Sequence, residues 1–235
     1  MEKFRLLSTR KLNPLIAREL SGLVDLMELD FISILPSVTA GKTEEIMQLA
    51  GEEKAVAFTS AHAVEVVDEI LRSGKLVADW RIFCLAGKTK DAIRNSSQIK
   101  NNLEGEANDA ASLAGKILET KVKEIIFFCG NQRREELPSL LLEKKVSVKE
   151  FVVYETLEKP VAVKNDFDGV LFFSPSAVRS FFSSNILRPS VVCFAVGQTT
   201  ATSIGTYTGN QILVSEIPSQ EKMLELVRNF IHPTL

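Results

Sequence analysis

Hydroxyl side chains recur in this sequence where a short apolar run gives way to a helical pattern. Thr59-Ser60 follows Ala57-Phe58, and Ser174-Pro175-Ser176 follows Leu171-Phe172-Phe173. Gly197-Gln198-Thr199-Thr200-Ala201 follows the run that ends at Val196. Gly130-Asn131-Gln132-Arg133-Arg134 is a further junction of this kind, with two guanidinium groups added. The first backbone N–H groups of a helix have no intrahelical partner, and the macrodipole adds partial positive charge there. Such junctions therefore favour carboxylates and phosphates. The competing reading of any one serine is plain N-capping. Pro175 fits a first helical turn, where its missing N–H is no loss.

Other chemistries lack their residues. Gly41-Lys42-Thr43 and Gly87-Lys88-Thr89 resemble the tail of a phosphate loop, but Pro36 and Ile82 stand where that motif needs its opening glycine. Neither G-x-G-x-x-G nor G-x-S-x-G occurs, which weighs against a dinucleotide fold and a nucleophile elbow. His62 and His232 are the only histidines, so a Ser-His-Asp triad and a His-rich metal site are both disfavoured. Cys84, Cys129 and Cys193 are odd in number, form no C-x-x-C, and each lies at or near the end of an apolar run. They read as buried strand residues, not as a disulfide framework or zinc ribbon.

The elements that must position these junctions follow from the apolar pattern. Candidate strands are 4–7, 25–34, 55–59, 82–86, 125–129, 146–154, 170–173, 191–196 and 211–214. Ile125-Ile126-Phe127-Phe128 and Val170-Leu171-Phe172-Phe173 do not alternate polar and apolar, so they predict strands buried on both faces. Helical stripes lie between them, at Ala63, Val64, Val67, Ile70 and Leu71, at Leu113, Ile117 and Leu118, and at Met223, Leu224, Val227 and Ile231. This is an α/β pattern with mostly parallel sheets flanked by helices.

The pattern also repeats. Residues 57–64 share four of eight positions with residues 171–178, and Gly87 and Gly197 follow at matching junctions, with Lys90 then facing Thr200. Two similar α/β domains result. Residues 1–34 are too few for a domain alone, so they are expected to join 156–235, with 35–155 inserted. The chain then crosses twice, near Leu35-Pro36 and near Tyr154-Glu155, giving a two-stranded hinge and a cleft suited to a ligand.

The ordered set of motifs resembles the uroporphyrinogen-III synthase family. It comprises Ser8-Thr9-Arg10, Phe58-Thr59-Ser60, the segment Phe128–Leu137, Val152-Val153-Tyr154-Glu155-Thr156, Phe173–Val178 and Val196–Ala201. The resemblance implies a cofactor-free, metal-free cyclising hydro-lyase of porphyrin, and hence heme, biosynthesis. Its substrate would be hydroxymethylbilane, a linear tetrapyrrole bearing acetate and propionate chains. The terminal hydroxyl leaves as water, the last pyrrole is inverted through a spiro intermediate, and the macrocycle closes in an interdomain cleft. Positioning is the main demand of that chemistry, with a weak acid at the leaving hydroxyl.

On this reading Tyr154 is the catalytic residue, its phenol bonding the leaving hydroxyl. The alternative is a tyrosine packed at the hinge. Thr200, Thr199, Ser174, Ser176, Ser60, Arg10, Gly130, Asn131 and Arg133 are the expected substrate ligands. Arg10, Arg133 and Arg134 have a second reading as surface charges. His62 departs from the small polar residue expected after Thr59-Ser60. A competing function is a non-catalytic two-domain module binding a small polyanion.

Composition bounds the rest. The chain has 235 residues, 28 Lys+Arg against 30 Asp+Glu, and 45% hydrophobic residues. That excludes a disordered or coiled-coil chain and argues against a nucleic-acid partner. There is no secretory signal pattern and no membrane-length apolar run, so a cytoplasmic location is expected. The resemblance suggests a monomer.

Overall fold

The computed structural model describes residues 3–100, 102–164 and 166–232. In chain order the elements are β1 (Arg5–Ser8), α1 (Pro14–Leu23), β2 (Asp25–Glu28), β3 (Ile32–Pro36), α2 (Ala40–Leu49), β4 (Ala55–Phe58) and α3 (Ala61–Ser73). There follow β5 (Arg81–Leu85), α4 (Lys88–Asn95), β6 (Leu103–Ala107), α5 (Ala110–Glu119), β7 (Glu124–Gly130), α6 (Glu136–Glu143) and β8 (Ser147–Glu158). The chain ends with β9 (Gly169–Phe172), α7 (Pro175–Phe182), β10 (Val192–Ala195), α8 (Gln198–Gly205), β11 (Ile212–Val214) and α9 (Gln220–Ile231). It divides into two compact units, Met1–Ser33 with Leu157–Leu235, and Ile34–Thr156. The chain passes from one to the other within β3 and again within β8.

The first unit has a sheet in the order β11-β10-β9-β1-β2, and its neighbouring strands run parallel. Its strands are apolar on both faces because helices cover both. Leu7, Val170, Phe172, Cys193 and Ala195 pack with Phe31, Phe181 and Ile204 in one layer. Leu6, Leu171, Val192 and Phe194 pack in the other, with Ile16 and Leu20 of α1 and Met223 and Val227 of α9.

The second unit has the order β3-β8-β7-β4-β5-β6. One layer holds Val56, Phe58, Ile82, Cys84, Ile126 and Phe128 against α3 and Trp80. The buried indole of Trp80 donates to the Leu49 carbonyl at 2.9 Å, tying α2 to this layer. The other layer holds Ala57, Phe83, Ile125, Phe127 and Cys129 against Leu113 and Ile117 of α5 and Leu137 and Leu141 of α6.

The two sheets are built alike. The sequence β2-β1-β9-β10-β11 in the first matches β8-β7-β4-β5-β6 in the second. The ladders fix the repeat more finely than residue matching does. Ala55 pairs with Arg81 where Gly169 pairs with Val192, so Arg81 takes the place of Val192. The offset changes by one after the strands, because Gly87 and Gly197 stand just ahead of α4 and α8, so Lys90 is opposite Thr200 at the helix starts. Thr89 and Thr200 are both buried in the first turn of their helices, while Lys90 reaches across to pair with Glu106.

Three further differences have physical causes. The expected strand 25–34 is two strands, because Leu29 and Phe31 still donate backbone bonds to Ser8 and Thr9 while the chain turns to bury Phe31 before β3. β8 runs on to Glu158, beyond the apolar stretch that predicts it. The edge strand β6 has no apolar run. It buries Gly105 and Ala107 and turns Glu104 outward, where both carboxylate oxygens accept from Arg81 at 2.7 Å.

Gly169 has no room for a side chain, since a Cβ there would lie 2.9 Å from ring carbons of Phe194 and of Phe4. Gly169→Ala is expected to destabilise the fold by about 1–3 kcal/mol through overpacking. Urea unfolding monitored by circular dichroism should show the midpoint fall with an unchanged slope.

Candidate active site

In an open parallel sheet, ligands bind beyond the carboxyl ends of two adjacent strands whose connections leave toward opposite faces. Each sheet has one such place in its interior, where the strand order also reverses. In the second unit it lies between β4 and β7, because β4 leads to α3 in the Trp80 layer and β7 leads to α6 in the opposite layer. In the first unit it lies between β9 and β1, followed by α7 and α1 on opposite layers. The junctions at Thr59-Ser60, Gly130–Arg134 and Ser174–Ser176 stand at these ends, while Gly197–Ala201 follows the neighbouring strand β10.

A cavity of about 400 Å³ opens at the second unit's switch point, lined among others by Thr59, Ser60, Gly130, Arg133, Arg134 and Tyr154. Tyr154 reaches it because the ladder between β7 and β8 slips by one residue. Cys129 faces Val152 but Gly130 faces Tyr154. Such a bulge re-aims the side chains beyond it. Val153 is left buried in the core, and Tyr154 is left half-buried at its edge. The phenol lies against Gly130, where a Cβ would stand 2.4 Å from two of its ring carbons. Its hydroxyl donates to Ser60 Oγ at 3.0 Å. The His62 ring meets the phenol edge-on at 5.8 Å, and its Nδ1 lies 3.1 Å from Glu65.

The neighbouring polar groups are largely committed. Arg133 donates to both Glu150 oxygens at 2.6 and 2.8 Å and to Glu135 at 2.5 Å. The Glu150 and Glu135 carboxylates hold its guanidinium in the charged form. This pairing supplies the counter-charge that a cation just ahead of a helix requires. Asn131 clips β8 in place, its N–H donating to the Tyr154 carbonyl at 3.1 Å and its Oδ1 accepting from Thr156 at 2.9 Å. Arg134 is exposed at the cavity and makes no ion pair among the described residues.

In the first unit, the buried Thr9 hydroxyl donates to the Leu171 carbonyl at 2.8 Å and stitches β1 to β9. Arg10 is exposed, with its guanidinium 5.8 Å from the Phe173 ring centre. Ser174 caps α7 by accepting from Ala177 N–H at 3.1 Å. Ser176 is half-buried in the first turn of α7. Gly197 opens α8, after which Thr199 is exposed and Thr200 is buried. Tyr207 lies elsewhere, stacked on Phe182 at 5.1 Å. Thr9 lies in the Ser8-Thr9-Arg10 motif without a role of its own there, and Glu150 is a residue that motif reading passed over. Only the strand pairing gives them roles.

A family model described as uroporphyrinogen-III synthase HemD (HEM4) matches residues 21–225. The chain belongs to that family. The match takes in the second unit's cavity and Tyr154, while Arg10 precedes it. The fold is similar to the crystal structure of uroporphyrinogen-III synthetase from Helicobacter pylori, at 18% identity and a TM-score of 0.71, over 98% of this chain and 100% of that one. It is also similar to a mutant uroporphyrinogen III synthase from the extremely thermophilic bacterium Thermus thermophilus, at 14% identity and a TM-score of 0.66, over 97% of each chain. A search of curated proteins finds no match. The family's activity is that of a cyclising hydro-lyase in tetrapyrrole biosynthesis, and it is the activity of this chain. A non-catalytic anion-binding module is not favoured.

Among the described residues no helix is long and apolar enough to cross a membrane, and no group of three His, Cys, Asp or Glu side chains could hold a metal ion. The cysteines are buried strand residues. Burial pushes the thiols up, to about 11 for Cys84 and about 12 for Cys129 and Cys193. Folding therefore favours the neutral thiols. Their contribution to stability is fully present below about pH 9, the ordinary thiol value, and is lost as pH rises toward 12. Ellman's reagent at pH 8 should leave all three thiols unlabelled in native protein and label all three in denaturant, and thermal unfolding should shift downward above pH 9.

Proposed function

We propose that this chain cyclises hydroxymethylbilane to uroporphyrinogen III, with Tyr154 as the hydrogen-bond donor to the leaving hydroxyl. The observation that carries the residue assignment is the Tyr154 phenol at the switch-point cavity, inside the span matched by the family. The pyrrole nitrogen of the terminal ring supplies the electron pair that expels the hydroxyl. That oxygen needs a proton or a strong hydrogen bond to leave as water, and a phenol O–H is a donor suited to the task. The remaining work is holding the chain so that the last ring is attacked at its substituted carbon, the step that leads through a spiro intermediate to inversion.

The substrate is a polycarboxylate, and the helix starts of both units are suited to it. The first turn of α3 has no side-chain cap, so its N–H groups are open to a carboxylate. Ser174, Ser176, Thr199 and Thr200 set hydroxyl groups at the starts of α7 and α8 for the same purpose. Arg134 adds a cation that no carboxylate of the protein neutralises among the described residues. Arg10 presents a second cation beside Phe173. Arg133 acts on this reading by shaping the cavity wall, since its guanidinium is engaged with Glu150 and Glu135, and Asn131 acts by holding the chain that carries Tyr154. The protein works in the cytoplasm as a monomer.

The direct test generates hydroxymethylbilane in situ, oxidises the products and separates the porphyrin isomers. Isomer III is expected to predominate, whereas isomer I alone from folded protein would overturn the proposal. Tyr154→Phe is expected to lower kcat by about 100-fold with a small change in KM, the size typical of losing one positioned proton donor. Arg134→Ala is expected to raise KM by roughly 3- to 10-fold, with an effect that shrinks as salt is added.

A further inference from the structure

Ser60 and Ser174 hold equivalent places, each just before the helix that follows the matching strand. Ser174 does what a serine there ordinarily does and caps its helix. Ser60 makes no cap bond, and its hydroxyl instead accepts the proton of Tyr154. The serine that gives up its cap is the one whose unit carries the phenol.

Two other features converge on the same ring. The slip between Cys129 and Gly130 turns Tyr154 out of the core. Gly130 leaves empty the space that the ring fills, and a Cβ there would stand 2.4 Å from two ring carbons and 2.8 Å from the phenol oxygen. The backbone cannot absorb such a clash by sliding, because Asn131 N–H holds the Tyr154 carbonyl at 3.1 Å and Asn131 Oδ1 holds the next turn of chain at Thr156. The side chain has to move.

We propose that Ser60 and Gly130 are positioning residues for the Tyr154 phenol. Gly130 provides the seat for the ring, and Ser60 holds the hydroxyl aimed until a substrate oxygen replaces it. The exchange trades one hydrogen bond of Tyr154 for another. Ser60 is then free to return to the cap position that Ser174 occupies, or to donate its own proton back to the phenol oxygen. This proposal rests on Tyr154 being the donor to the leaving hydroxyl. It moves Ser60 from substrate ligand to a residue acting through Tyr154.

The test measures kcat and KM for Ser60→Ala, Ser60→Thr, Gly130→Ala, Tyr154→Phe and the double variant S60A/Y154F, with melting curves to confirm folding. Ser60→Ala should lower kcat roughly tenfold with KM held within about twofold, the pattern of lost orientation. Ser60→Thr keeps the hydroxyl and should restore most of the rate. In the Tyr154→Phe background, Ser60→Ala should do nothing further, because the group it positions has gone. Gly130→Ala should lower kcat in the same way. If Gly130→Ala does not fold, the serine series alone decides. A full rate for Ser60→Ala, an effect confined to KM, or an effect that multiplies with that of Tyr154→Phe would overturn the proposal while leaving the role of Tyr154 intact. Full activity of Tyr154→Phe would overturn that role itself, and this proposal with it.

Discussion

Strands buried on both faces leave almost nowhere for polar chemistry, and that constraint shapes this protein. Side chains along β4, β5 and β7 alternate between two helix layers, so Val56, Phe58 and Ile126 face one way and Ala57, Phe83 and Phe127 the other. A hydroxyl or charge along these strands would be desolvated without a partner. Polar groups can survive only where the strands end. There the backbone bonds stop pairing, helices begin, and free N–H groups face outward. Thr59-Ser60, Gly130–Arg134 and Ser174–Ser176 all stand at such ends. The site is therefore a consequence of the packing.

Several polar side chains near those ends hold the frame. Thr9 bonds a carbonyl of the neighbouring strand, Asn131 bonds the chain that carries Tyr154, and Arg133 satisfies Glu150 and Glu135. Each bond holds a junction in one conformation. On the function proposed above, Tyr154, Arg134, Thr199 and the first turn of α3 serve the ligand. A reaction that depends on folding a flexible tetrapyrrole into one productive arrangement benefits from such rigidity more than from strong acids or bases.

The two units show how one design is turned to different ends. Their sheets have the same strand order and place a serine before the same helix. Only the second unit sets a tyrosine across a glycine at the edge of its switch point. The bulge that does this adds a single residue to a ladder. Its effect is large because the side-chain period of a strand is two, so a one-residue slip changes which face every later side chain meets.

The sequence by itself determined the α/β class, the parallel character of the sheets, the buried cysteines and the family resemblance. These depend on local composition, as in Ile125-Ile126-Phe127-Phe128, and on the order of short motifs, which survive in one dimension. It also marked Tyr154 and Ser60 as residues of interest. The structure decided what those residues touch. β6 was illegible because an edge strand needs only alternate small residues inward, and Leu103–Ala107 carries two glutamates. The division of 25–34 into two strands was illegible because every residue type there suits a strand, and only the burial of Phe31 turns the chain. The Ser60–Tyr154 bond joins positions 94 residues apart. It depends on a bulge, on the missing side chain of Gly130, and on the meeting of β4 and β7 beneath them, which only the folded chain brings about.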